Sequence, residues 1–369
     1  MVEAGGGALD IAAVRVSVPF REPFATSVGE STARVSWLIR LRDARGRTGV
    51  GEVALDPAAA DDAQDAIDVS VRGIVEVLGA GADLDRLVPV LPVAIRAGLD
   101  AALVGIGRAD LDPAPRPGAR VRVNATIGDG SLEDTIASAR AAVAAGYDAL
   151  KLKGGREASP AELVARLVGV RGAIAPSTNL RLDVNGVWDR AKAIGWLQAL
   201  ETLDLEYVEQ PLPARPEGHE IADLAILRQR SSVRFAADES VTGVAAARSI
   251  IETGAADVLV VKPARVGGIR VAREVATIAA EAGIGVVLST MLETGVGLAA
   301  GLAVAASLPG GEGTGRAHGL GTSSWLVSDL LQQPLAVDRG ALVARDLGTL
   351  ALDDDEIRAR TVAACGSPW

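Results

Sequence analysis

Cysteine is almost missing from this chain. The single Cys365 can form no internal disulfide, which excludes a disulfide scaffold and points to a reducing, cytoplasmic compartment. Aromatic residues make up only 3% of the chain, so a core must be built from Ala, Val, Leu and Ile, which the 49% apolar content supplies. Excess positive charge is absent as well. A net charge of −10 argues against a nucleic-acid partner, whose phosphates need a basic face. Met1 to Gly7 contains no basic region followed by an apolar run, so no signal peptide is read there. The longest uncharged stretch is 18 residues, between Glu293 and Glu312, near the lower limit for a membrane span. It follows the strand-like GVVLS and contains Gly295, Gly297 and Gly301, so a buried helix packed on a sheet is expected and no membrane partner.

What is there is glycine, 42 of 369 residues, and a length suited to one large domain plus a smaller one. Ile11 to Ala54 holds two alternating, extended segments, the second running WLIRLRD through an Arg-Gly turn into TGVGEVA, a hairpin signal. Pro57 to Asp110 reads as Ala-rich helix and ends in DLDPAPRPGAR, whose three prolines mark a domain boundary. Beyond it a strand-then-helix unit repeats. Ser131 with Asp134, and Ser159 with Pro160 and Glu162, are helix starts; Leu132, Ile136, Ala139 and Val143 mark one helical face. The strand-like runs are VRVNATI, DALKLK, LRLDV, LEYVEQ, RFAAD, DVLVVK and GVVLS. This alternation implies an α/β fold with a parallel sheet, closed as a barrel or open and doubly wound.

Five successive runs end in charge, at Lys153, Asp183, Glu209, Asp238 and Lys262, spaced 30, 26, 29 and 24 residues apart. Parallel strands are buried on both faces, where a charge is costly, but at the C-terminal mouth of a barrel such residues form the usual catalytic set. Any one of them alone is more simply a solvated loop residue; all five in this order are not. Neighbouring strands lie about 4.8 Å apart, so Asp183, Glu209 and Asp238 can meet around one ion. All-oxygen ligands with only two histidines in the chain favour Mg²⁺ or Mn²⁺ over Zn²⁺. Asn185 and Gln210 stand beside two of the acids, ready to hydrogen-bond them. Lys151 and Lys153 share a strand face, and their mutual repulsion should lower the pKa of at least one, as a lysine base requires. Lys262 would approach from the opposite side. A base, a metal and an opposing lysine suit removal of a proton α to a carboxylate, through an enediolate.

With LKLKGG (150–155), LDVNG (182–186), VEQPL (208–212), ADES (237–240) and VVKPARVGG (260–268), the chain resembles the enolase superfamily and, within it, the muconate-lactonising subgroup, over roughly residues 11 to 335. The resemblance implies a modified TIM barrel, (β/α)₇β, over 119–330, with an N-terminal α+β capping domain over 1–118 that 331–369 completes. It implies Mg²⁺ on Asp183, Glu209 and Asp238, Lys153 as general base, Lys262 as its counterpart, Lys151 as an electrostatic helper, and Glu239 hydrogen-bonded near Lys262. VNATI, LETGVGLAAGLA and HGLGTSS resemble o-succinylbenzoate synthases, which act in menaquinone synthesis, and KPARVGG and MLETGVG N-acylamino-acid racemases; muconate cycloisomerases are a third relation. No histidine stands near the ends of the sixth and seventh strands, unlike mandelate-racemase-like members, and AHGLGTSS lacks the paired aspartates of dipeptide epimerases.

The substrate is expected to be a small carboxylate. Specificity is expected in the capping loops Pro23 to Gly29, with Thr26, and Ala54 to Asp56, and after the seventh strand at Ser289 and Met291. Phe24 reads as core. Arg181, two residues before Asp183, binds a substrate carboxylate or forms a buried ion pair. GGEGTGR (310–316) and VGGIR (266–270) read as turns rather than phosphate loops. Trp188, Trp196 and Trp325 read as packing, and the apolar-rich helices suit a homo-oligomer. A non-catalytic binding module would show a lost base or ligand, and none is lost.

Overall fold

Alternation along the first strands divides their side chains between two cores. The computed structural model describes residues 9–25, 30–111, 114, 116–128, 130–308 and 315–369. Strands β1 (Asp10–Ala25), β2 (Glu30–Arg42) and β3 (Thr48–Val53) form an antiparallel meander, with the expected hairpin between the last two. On β2, Trp37, Ile39 and Leu41 enter a core of the cap itself, beside Val71 and Leu99, whereas Leu38 enters the barrel's core with Val14, Val16 and Val50. Arg34 and Ser36 share the face of Leu38, and Glu52 that of Val50, so period-two geometry turns them towards the barrel.

The region expected as one Ala-rich helical stretch contains two long helices, Asp61–Gly79 and Val93–Gly105, with shorter turns between. The second lies against β3 through glycine: a Cβ on Gly51 would stand 1.9 Å from the Gly98 carbonyl oxygen.

The remaining strands are β4 (Arg120–Arg122), β5 (Ala125–Ile127), β6 (Ala149–Lys153), β7 (Asn179–Asp183), β8 (Tyr207–Glu209), β9 (Phe235–Ala237), β10 (Val258–Val261), β11 (Gly285–Leu288), β12 (Ala341–Val343) and β13 (Thr361–Gly366). β5 to β11 form one parallel sheet in chain order. Residues 318 and 319 act as an eighth strand, bridging Val123 before β5 and Ser289 after β11, and so join the sheet's two edges. This is a modified TIM barrel of (β/α)₇β type with an N-terminal α+β cap. The C-terminal segment is shared: β13 pairs with β1 in the cap, while β12 pairs with β4.

Crossover helices begin where capping chemistry puts them. Ser131 Oγ accepts the Asp134 N–H and Ser159 Oγ that of Glu162. The buried face of helix Leu132–Ala144 is Thr135, Ala139 and Ala142, and Leu132 is exposed. Of the expected face, Ala139 is buried and Ile136 and Val143 pack against the barrel core; Leu132, at the helix start, departs from it and lies beside Gly169 of the next helix. The uncharged stretch forms helix Gly295–Ser307, buried at every residue but Gly297. No helix among the described residues is long and apolar enough to cross a membrane.

Candidate active site

Strand register brings the charged ends together. Lys153, Asp183 and Glu209 are direct neighbours across β6, β7 and β8, and Lys151, Arg181 and Tyr207 form the next layer down. Asp238 and Lys262 follow β9 and β10 by one residue. Lys151 Nζ donates to Asp183 Oδ2 at 2.9 Å and to Glu209 Oε1 at 3.0 Å. Lys153 Nζ donates to Asp183 Oδ2 at 2.7 Å and to Asn185 Oδ1 at 2.8 Å. On the other side Lys262 Nζ donates to Asp238 Oδ2 at 2.7 Å, and Arg265 Nη1 to Asp238 Oδ1 at 2.6 Å. All three acids are buried to 2% exposure or less.

Their electrostatics differ with their partners. Burial acts to raise Asp183, but Lys151 and Lys153 hold it well below the usual carboxylate range. Burial also opposes Asp238's charge, yet Lys262 and Arg265 bring it to about 2. Glu209 is pushed up to about 7 by burial and by the charge of Asp183, against the pull of Lys151. Burial favours a neutral Lys151, but Asp183, Glu209 and Asp238 overcome this and hold it well above the ordinary lysine value. Repulsion between paired lysines therefore does not lower Lys151, because two carboxylates stand closer to its charge.

The neighbours expected to brace the acids do so through strained backbone. Asn185 and Gln210 have φ of 45° and 43°, a left-handed conformation that costs a non-glycine residue energy. Asn185 N–H donates to Asp183 Oδ1, and its side-chain amide to Glu239 Oε1. Gln210 Oε1 accepts the backbone N–H of Asp238 and of Ser240, fixing the turn that aims Asp238. Glu239 thus bonds Asn185; Lys262 acts on it through its charge, while burial and Asp238 raise its pKa.

Of the two readings of Arg181, the structure bears out the buried ion pair and not the substrate contact. Arg181 is fully buried, donates through Nε to Glu206 and through Nη1 to Asn124 Oδ1 and the Ala317 carbonyl, and lies over the Tyr207 ring. Lys151 of the same layer reaches the acids, whereas the Arg181 side chain is held away from them by Glu206 and the Ala317 carbonyl. Ser289 is buried at the end of β11, where Ser289 Oγ donates to the Gly319 carbonyl, and Met291 holds Arg34 through its carbonyl. Thr26 and the Phe24 side chain lie outside the described residues, as does most of GGEGTGR. In VGGIR the place a phosphate would take is filled by Asp100, whose Oδ2 accepts the Arg270 N–H; a Cβ on Gly268 would stand 2.5 Å from that oxygen. Arg265 was not foreseen from sequence, although its place one helical turn after Lys262 is a signal in KPAR.

Among the described residues no three acid, histidine or cysteine side chains form a ready-made metal cluster, because ammonium groups stand between the acids. The donor set nevertheless fits a hard divalent cation. Three buried carboxylates crowd at adjacent strand ends, and burial, followed by the charges of Asp183 and Asp238, lifts Glu209.

Lysines and buried acids at the mouth of a capped barrel are the framework of an enzyme. Residues 134–349 match the family described as enolase C-terminal domain-like, and the chain belongs to that family, within the enolase superfamily. It is 38% identical over 252 residues to o-succinylbenzoate synthase of Thermobifida fusca, covering 66% of this chain and 75% of the relative. It is 31% identical over 314 residues to muconate cycloisomerase 1 of Rhodococcus opacus, covering 80% and 83%. A probable mandelate racemase from Alicyclobacillus acidocaldarius superposes with a TM-score of 0.81 at 30% identity, over 97% of this chain and 98% of that one. The chain is accordingly an enzyme of the lyase or isomerase/racemase type.

Proposed function

We propose that the enzyme removes a proton α to a carboxylate with Mg²⁺ as cofactor, and that its reaction is the syn-dehydration that forms o-succinylbenzoate, in the cytoplasm. The observation that carries this reading is the facing pair of lysines, Lys153 and Lys262, each tied to a different acid of one buried carboxylate trio. Asp183, Glu209 and Asp238 would hold the cation. When bound, it supplies a Lewis acid for the substrate carboxylate. Lys153 takes the α-proton, and the substrate hydroxyl leaves from the same face as water carrying that proton. The Lys262 ammonium stabilises the enediolate from the opposite side, and Lys151 holds Asp183 and Glu209 in place. The 38% identity to the Thermobifida synthase supports this choice of substrate.

A second reading, racemisation of an N-acylamino acid, is favoured by the same facing lysines, which can serve opposite faces of one α-carbon. A histidine-based racemase is not supported, since His318 is fully buried and His219 is exposed and paired with Glu217.

The test is turnover of the cyclohexadiene carboxylate precursor of o-succinylbenzoate, followed by ultraviolet absorbance with Mg²⁺ and with EDTA. Metal-dependent loss of substrate is expected, and Lys153→Ala should lower kcat by at least about 10³-fold. Turnover that survives EDTA would sink the metal assignment. No turnover in wild type, together with α-proton exchange on N-acylamino acids in D₂O, would replace dehydration by racemisation.

A further inference from the structure

Two glycine-rich pieces of the sequence, VGGIR and ETGVG, are not used by the chemistry proposed above. Both lie where a carboxylate from the cap sits on the start of a barrel helix. Asp100, on helix Val93–Gly105, meets the N-terminus of helix Ile269–Glu281. Glu52, on β3, meets helix Gly295–Ser307. Glu52 accepts the N–H and hydroxyl of Thr294 and the N–H of Gly297, and takes a fourth bond from Ser36 Oγ at 2.8 Å. A Cβ at Gly297 would stand 2.5 Å from the Glu293 Cβ and 3.1 Å from Glu52 Oε2, so glycine there makes room first for Glu293 and then for the Glu52 carboxylate.

Arg34 completes the clasp. It is fully buried, and one of its nitrogens, Nη1, donates both to the Leu55 carbonyl at 2.8 Å and to the Met291 carbonyl at 2.7 Å. Leu55 belongs to the cap loop beside the site, where the charge of Asp56 acts on Arg265. Met291 belongs to the loop leaving the mouth end of β11, and its N–H is held by Glu293 at 2.6 Å. Leu292 in that loop is held at φ 61°, a conformation it would leave if released.

We propose that Glu52 and Arg34 are positioning residues for substrate. They fix residues 289–294 and the Ala54–Asp56 loop as one rigid edge of the mouth, against which the part of the substrate remote from the α-carbon is seated. Neither residue touches the reacting atoms. The inference rests on the enediolate reading for its kinetic arm only.

Two measurements on the full chain test it. Hydrogen exchange at the amides of residues 291–297 should rise by at least about ten-fold in Glu52→Gln, because the amide can offer only one oxygen where two accept now, with β6 to β8 unchanged. On the substrate that wild type turns over, KM should rise about ten-fold while kcat holds within about three-fold, since binding and not chemistry is loosened. Glu52→Asp, which keeps the charge, should recover part of both. Unchanged exchange overturns the proposal, as does a loss of kcat at constant KM. If Glu52→Gln gives no folded protein, Thr294→Val removes one donor to Glu52 along with the cap on the Val296 N–H, so its exchange is read at the Met291 and Gly297 amides, and its kinetics as before. If wild type turns over none of the proposed substrates, the functional reading fails, while exchange still decides the clasp.

Discussion

His318 shows how one buried residue sets an acid limit for this fold. Its Nδ1 accepts the Leu288 N–H, and burial, followed by the charges of Arg181 and Arg122, lowers its pKa to about 3. The folded state therefore keeps it neutral where the unfolded chain would protonate. Stability is fully present above the ordinary value of 6.5 and drains away as pH falls towards about 3. The slope is about 1.4 kcal/mol per pH unit for this one group. His318→Asn, which keeps an acceptor for Leu288, should flatten that limb in urea unfolding followed from neutral to acid pH; an unaltered limb would assign it to other groups. Arg181 gives a second prediction at the same scale. Arg181→Met should destabilise by about 1–3 kcal/mol in urea, because Arg316 still pairs with Glu206 while Asn124 Oδ1 and the Ala317 carbonyl lose this buried donor. KM in the surviving folded protein should stay near wild type, and a selective rise in KM would return Arg181 to the substrate.

Among the elements, β3 is the most constrained. Its glycines meet helix Val93–Gly105 backbone to backbone, while Val50 and Glu52 on its other face meet the barrel. Neither face has room to move. Gly51→Ala should therefore push the helix away and cost about 1–3 kcal/mol, as overpacking does, visible as a lower Tm. A Tm within a degree of wild type would mean that the helix yields without loss. Glu52 itself was legible in TGVGEVA only as a strand residue. Nothing in the local pattern says that a carboxylate there will meet a helix start 242 residues later.

At the scale of the molecule, the cap is not a separable lid. Val14, Val16, Val18 and Leu38 of its sheet sit in the same apolar cluster as Leu150, Leu182 and Leu259 of the barrel. The C-terminal strand β13 returns to pair with β1 after the chain has completed the barrel. Cap and barrel should consequently unfold together, with amides of β2 and β7 losing protection at the same urea concentration in pulse-labelled exchange. Two separated midpoints would show that the shared cluster and the clasp do not couple the two units.

The sequence alone determined the alternation of strands and helices from β5 to β11 and the list of charged strand ends, but not β12, β13 or the helix Asp354–Arg360 between them. Both follow from local rules: period-two and helical patterning, capping residues, and the cost of placing charge inside a parallel strand. On helix Leu132–Ala144 those rules found Ile136, Ala139 and Val143 on the packed face and missed that Leu132, at its start, is exposed. Only the tertiary structure decided which charges meet. Lys151 and Arg181 are neighbours in register and similar in pattern, yet one points up into two acids and the other down to Glu206 and the Ala317 carbonyl. Arg34 finds Met291 across a chain separation that no local signal spans. A charge's partner depends on distance in space after the barrel has closed, and closure is a property of the whole chain.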